Sequence, residues 1–487
     1  MDRRRLIVAA GASLSIAAVG AATVITDRDE PAAAPAASTT SSATTTTTAA
    51  PVGRAGASGV GDPYFSDAGN GGYDVDHYLL ELTWDPTRQH LDGMTTIRAV
   101  ATEALASFSL DLIGLDVTAV DVDGGPARWE HPDDHELVVT PARTLPADAT
   151  FNTVVRYGGT PAPIAGPAPL EPGFMTDGRE VYVASEPDGA ATFFPANDHP
   201  TDKATYEIRV TVPDDLDVAA NGVLRETIPN RMVGTETWVF EARDLMATYL
   251  VQVVVGNLRV ERLTGPAGLP IRNVYDADAG DRVRAAFASQ SEMIDFFDDL
   301  FGPFPFATYG AVVVDEDLGF ALETQTLSLF GSDVAAEPVV AHELAHQWFG
   351  DHVSLGSWAD IWLNEGFATY AQWLWSEHRG AGSVDEIALA SVRTPGLDVP
   401  PADPGPNRLF HATVYVRGAL TLHVLRHELG DDGFFRLLRT WVERYGGGSA
   451  TSADFEALAA EVGGRDLRPL FDAWLRAPGL PALDDWL

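Results

Sequence analysis

The chain has 487 residues, 45% of them hydrophobic, which predicts two or three domains with a sizeable core. Its formal net charge of −38, from 70 acidic and 32 basic residues, gives a surface that repels nucleic acid rather than attracting it. Cysteine is absent, which excludes disulfides, thiol catalysis, thiolate metal sites and an N-terminal lipidated cysteine, so any metal must be held by His, Asp or Glu.

Arg3, Arg4 and Arg5 precede an uncharged stretch from Leu6 to Thr26, and Asp27 follows. This predicts a signal peptide or an uncleaved N-terminal membrane anchor over residues 1–27, with the rest of the chain outside. The protein is then exported, extracellular or at the cell surface, either secreted or anchored. Any membrane contact is confined to residues 6–26. Residues 28–72 contain an Ala-, Thr-, Ser- and Pro-rich run from Ala32 to Val52 and are expected to be a flexible linker.

From residue 73 to 262 the pattern is strand-like. Tyr78, Leu80, Leu82 and Trp84 alternate with other residues, and apolar runs such as Glu207–Val212 and Tyr249–Val255 recur between turns. A mainly β domain is predicted. Over residues 263–487 the pattern changes to a helix-rich domain with a small sheet. A helix is expected over about 282–301, stopped by Gly302 and Pro303, then a strand at Ala311–Val314. Further helices are expected near 338–350, 359–378, 417–429, 432–445, 452–462 and 466–475.

The sharpest chemical signal is His342-Glu343-Leu344-Ala345-His346. Positions i and i+4 lie on one face of a helix, so both imidazoles can reach one zinc ion, and Glu343 can act as base toward a water activated by it. A third ligand, Glu365, lies in Trp362-Leu363-Asn364-Glu365-Gly366, with 18 residues between it and His346. That spacing permits a helix, a turn and an antiparallel return. Two histidines and one glutamate leave a coordination position open, as a catalytic zinc requires. Asn364 is either a hydrogen-bond partner of a ligand or a helix cap.

The run from His342 to Tyr370, with Trp348-Phe349-Gly350 and the Asn-Glu-Gly segment, resembles the aminopeptidase N-like zinc metallopeptidases, a gluzincin family. The resemblance spans roughly residues 73 to 475. It implies a multidomain α+β fold, with a mainly β sandwich or saddle domain followed by a thermolysin-like catalytic domain. It implies one zinc per chain, held by His342, His346 and Glu365, and peptide substrates with a free N-terminus. An aminopeptidase needs carboxylates for the substrate's ammonium group. Glu323, in Gly319-Phe320-Ala321-Leu322-Glu323-Thr324, is similar to the family's Gly-Ala-Met-Glu-Asn glutamate at an edge strand, although Phe320, Leu322 and Thr324 depart from the pattern. Glu186, in Ser185-Glu186-Pro187, resembles the family's second amine-binding glutamate, with Ala184 replacing a glutamine. Phe194-Pro195-Ala196-Asn197-Asp198 resembles the segment that follows it. Tyr415, before Arg417 and Gly418, matches the family's Tyr-x-Lys-Gly tyrosine, which implies a hydrogen bond to the developing oxyanion. Many family members carry a long C-terminal helical domain beyond this region; here the cleft is expected to be more open, or covered by another chain. A thermolysin-like endopeptidase would share the zinc motif without needing Glu186 and Glu323, and a non-catalytic surface binding protein would need neither Glu343 nor Tyr415.

Overall fold

Alternation in the strand Tyr73–Asp85 turns Tyr78, Leu80, Leu82 and Trp84 inward, each at most 2% exposed, in a computed structural model that describes residues 53–167, 171–483 and 486. That strand lies near the middle of a mixed eight-stranded sheet. It pairs in parallel with Lys203–Pro213 and antiparallel with His90–Ala101. The long edge hairpin Val223–Asn230/Thr235–Ala247 lies on one side, and Thr150–Gly159 followed by Asp116–Val122 on the other. Two four-stranded sheets accompany it, and one of them contains Val181–Ala184, which leads directly into Glu186.

A five-stranded sheet opens the second half, in the order Leu258–Thr264, Pro270–Asp276, Tyr309–Val314, Ser328–Gly331, Ala321–Leu322. Its first strand begins before residue 263. Among the described residues eight α-helices accompany it: α1 Asp281–Ala286, α2 Gln290–Phe301, α3 Glu337–Ala345, α4 Trp362–His378, α5 Val384–Ser391, α6 Gly418–Tyr445, α7 Ser452–Gly463 and α8 Arg468–Phe471. The helix expected over 282–301 is interrupted between α1 and α2. The two expected at 417–429 and 432–445 form α6, broken at Gly430, whose φ of 69° and ψ of 163° are not helical. α3 is shorter than expected. The chain turns away after His346, and Gly350, at a φ of 129°, donates its N–H to Val353 at 2.9 Å. α5 was not anticipated, although Ser383 and Glu386 cap its first turn reciprocally.

The linker expectation needs correction at its C-terminal end. Residues 53–72 pack against both halves of the chain. Arg54–Ala55 pairs with the strand starting at Leu105. The Asp62 carboxylate accepts from the backbone of Tyr64 at 2.8 Å and of Trp358 at 2.9 Å, and from Ser357 Oγ at 3.1 Å. Tyr64 Oη donates to Asp403 and accepts from Gly405. Composition overlooked this because one buried carboxylate that satisfies several donors can order a stretch lacking an apolar pattern. The signal or anchor segment, residues 1–27, and the run from Ala32 to Val52 lie outside the described residues. Among the described residues no helix is long and apolar enough to cross a membrane.

Candidate active site

Pro338 stands in the first turn of α3, where its missing N–H costs nothing. The helix then carries His342 and, one turn on, His346 to the same face, opposite the start of α4. Glu365, in the first turn of α4, sets Oε2 at 3.1 Å from His342 Nε2 and 3.5 Å from His346 Nε2. Ligand atoms around a tetrahedral zinc stand roughly 3.3 Å apart, so both imidazoles already stand from Glu365 at about the spacing that ion requires. The Nδ1–H of His346 donates to the Phe349 carbonyl at 3.1 Å, which orients the ring with Nε2 toward Glu365. A buried set of two imidazoles and a carboxylate, without thiolate, fits zinc. Asn364 is buried but its side chain makes no hydrogen bond, so it is neither ligand partner nor cap here.

The triad opens into a cavity of about 340 Å³ lined by Glu186, Glu323, Glu343 and Tyr415 among others. All seven residues singled out from the sequence meet there. Glu323 follows the edge strand Ala321–Leu322, which pairs antiparallel with Leu329–Phe330. Oxygens of Glu323 and Glu343 and a ring nitrogen of His346 all lie within 4.8 Å of one another. Glu186 arrives from the β domain; it and Glu323 are each 2% exposed, and each has an oxygen without a hydrogen-bond partner. Glu186 precedes Pro187 across a cis peptide bond.

α4 and α6 approach closely where Gly366 faces Gly418. A Cβ on Gly366 would come within 2.9 Å of the Gly418 Cα. That approach brings Glu365 and Tyr415 to one cavity. Tyr415 lies on a π-helical turn, Thr413–Arg417, and its ring stacks near His342 with centroids 6.0 Å apart. Arg417 is fully buried and donates to the carbonyls of Leu397, Val399, Ala473, Trp474 and Ala477, fixing the turn.

Four glutamates thus face a cavity that no Lys or Arg lines among the described residues. Burial, and the Glu323 charge beside it, push the Glu186 carboxyl well above the ordinary carboxylate range. Burial does the same to Glu343 and raises Glu323. Glu365 moves the other way: burial opposes its charge, but His346 and hydrogen bonds from both imidazoles hold it low. Burial and these carboxylates raise the Tyr415 phenol, keeping it a hydrogen-bond donor. The site therefore favours cations in two places, at the triad and between Glu186 and Glu323.

Three supporting residues escaped the sequence reading. Gln347 accepts from the Thr326 N–H at 2.9 Å and donates to the Glu323 carbonyl at 3.0 Å, tying the Glu323 segment to α3. Asn221, from the β domain, donates to the Gln325 carbonyl at 2.6 Å. Lys203, the only lysine, donates to the carbonyls of Asp351 and His352 at 2.6 and 3.1 Å.

Comparison with known proteins agrees with this geometry. Residues 285–474 match the peptidase family M1 domain and residues 74–250 the peptidase M1 N-terminal domain. The fold is similar to an M1 zinc metallopeptidase from Deinococcus radiodurans, with 34% identity, a TM-score of 0.83, and coverage of 87% of this chain and 98% of that one. A mutant of the same organism's M1 zinc metallopeptidase, bound to a Tyr-Ser-Ala substrate, matches with the same identity and TM-score, covering 87% and 99%. Aminopeptidase M1-A of Oryza sativa subsp. japonica is 26% identical over 440 residues, covering 81% of this chain and 50% of that protein. The chain spans half or less of the length of the curated relatives it matches. With both family domains matched in order and the zinc triad assembled between α3 and α4, the chain belongs to peptidase family M1.

Proposed function

We propose that the chain is a zinc-dependent aminopeptidase that hydrolyses the first peptide bond of substrates with a free N-terminus. The observation carrying this reading is the pair of buried carboxylates, Glu186 and Glu323, sharing the cavity of the metal triad with unpartnered oxygens. An endopeptidase has no use for them, because an internal peptide bond presents no ammonium group. A binding protein has no need of Glu343 beside them.

His342, His346 and Glu365 hold the ion. When bound, zinc supplies Lewis acidity, polarising the scissile carbonyl and acidifying water. Glu186 and Glu323 accept hydrogen bonds from the substrate ammonium and neutralise its charge in a partly dry cleft. That contact sets the register, so the first carbonyl stands beside Glu343. Glu343 accepts a proton from the attacking water and returns it to the leaving nitrogen; burial raises its carboxyl above the ordinary carboxylate range, which makes it a stronger base toward that water. The Tyr415 hydroxyl donates to the carbonyl oxygen as it gains charge. Tyr415→Phe should lower kcat by about 10²–10³-fold, the usual effect of losing one oxyanion donor, with KM and metal content nearly unchanged. Unchanged kcat would remove Tyr415 from the reaction. The Tyr-Ser-Ala tripeptide bound by the Deinococcus relative supports a short peptide as substrate class.

Incubation with an unblocked pentapeptide, followed by mass spectrometry, tests the assignment. Successive loss of single N-terminal residues is expected. Internal fragments appearing first would instead identify an endopeptidase.

Export is part of the same proposal, supported by Arg3–Arg5 and the uncharged stretch to Thr26. Recovery of the protein wholly in the cytosolic fraction of its own cell would contradict it.

A further inference from the structure

Outside the active site, α5 and α6 converge on a second group of ligand-type side chains. His423 and His427 stand one turn apart on α6, and Asp385 stands in the first turn of α5. Asp385 Oδ1 lies 3.5 Å from His423 Nε2 and 3.2 Å from His427 Nε2. All three ligand atoms lie within 4.8 Å of one another. The spacing is close to that of the His342, His346 and Glu365 set, with an aspartate in place of the glutamate.

His423 is 1% exposed, yet its Nε2, aimed at this point, makes no hydrogen bond. Its Nδ1 lies 3.4 Å from Tyr370 Oη, which can accept the Nδ1–H and leave Nε2 as the free donor atom. A buried imidazole nitrogen without a partner costs stability unless something occupies its lone pair. The Ser383 and Glu386 capping pair fixes the turn that holds Asp385. Arg426, the nearby cation, is engaged by Asp431 at 2.7 Å. The group borders a cavity of about 350 Å³ whose other acids are Glu377 and Asp431, so the site can be reached from solvent and its surroundings are net acidic.

We propose that Asp385, His423 and His427 form a second metal site, which takes a zinc-class dication and fastens α5 to α6. Two imidazoles with one carboxylate suit zinc and its transition-metal neighbours rather than calcium or magnesium, which require oxygen ligands. The remaining positions face the cavity and are open to water. Because Tyr370 and Glu377 belong to α4, the metal would also brace the far end of the helix that carries Glu365 in its first turn.

Metal content and thermal unfolding of the full chain, with zinc itself as probe, test this. Equilibrated with zinc and freed of unbound ion, the wild type should hold one equivalent beyond that lost in His342→Ala. Its Tm should rise by several degrees as this extra equivalent binds, because a ligand held only by the native state stabilises it. His427→Gln and Asp385→Asn alter partly exposed side chains. Both should lose the extra equivalent and the rise in Tm, and keep wild-type turnover when the catalytic equivalent alone is present. A wild type that holds one equivalent only would overturn the proposal. So would an extra equivalent that persists in both variants, which would place the additional ion in the catalytic cleft instead.

Discussion

Glu343→Gln is expected to lower kcat by about 10²–10⁴-fold or more, the range that loss of acid–base catalysis produces, while fold and zinc content stay as in the wild type. The amide keeps the size of the side chain but can neither accept the proton from water nor return it. Glu343 makes no contact with Glu365 of the kind made by the two imidazoles, so no ligand is disturbed. Stability should not fall either. In the metal-free chain the Glu343 pKa is raised by burial, so its charged form destabilises the fold as pH rises above the unfolded value, and a neutral amide removes that cost. Steady-state kinetics, zinc analysis and thermal unfolding on one preparation check all three points. A rate near that of the wild type would mean that another group is the base.

His346→Ala has an effect at least as large, by a different route. His346 is oriented by the Phe349 carbonyl and lies 3.5 Å from Glu365, and no described cysteine or spare histidine lines the cavity to replace it. Zinc content should fall to background and turnover with it. Chelation of the wild type should give the same loss, reversed by zinc. In the variant zinc should not restore the rate, because two ligands leave the ion weakly held. The variant also leaves Glu365 with one of its two imidazole partners gone, so a loss of roughly 1–3 kcal/mol in stability is expected for the metal-free protein. Full activity in a demonstrably metal-free preparation would contradict the assignment of the triad.

Why some of this was legible in the sequence and some was not follows from the range of each interaction. His342 and His346 are placed by one helical turn, and Glu365 by the next helix, so short-range rules suffice. Strand alternation at Tyr78, Leu80, Leu82 and Trp84 is local in the same sense. Glu186 and Glu323 are different. They come from two domains, 137 positions apart in the chain and joined only in the fold, and the family resemblance alone pointed to them. Gln347, Asn221 and Lys203 escaped because their partners are backbone carbonyls and amides, which have no residue signature. The ordering of residues 53–72 escaped for a similar reason, since Asp62 acts through the distant Trp358 and Ser357. Helix breaks at Gly430 and Gly302 were readable, whereas the interruption between α1 and α2 contains no Gly or Pro to announce it.

The most direct test of the central claim compares a free and an N-acetylated peptide on wild type and on Glu323→Ala. Glu323 is buried in the cleft and has an oxygen with no partner among the described residues, and the proposed function assigns it the substrate ammonium. Acetylation removes that charge, so the wild type should strongly prefer the free peptide. In Glu323→Ala, kcat/KM for the free peptide should fall by about 10²-fold or more, as expected for a lost charge-assisted contact of a few kcal/mol. Zinc content should stay constant and the ratio between the two substrates should shrink. A ratio unchanged from wild type would show that Glu323 does not read the amine, and the account of this site as one that selects the chain end would fail.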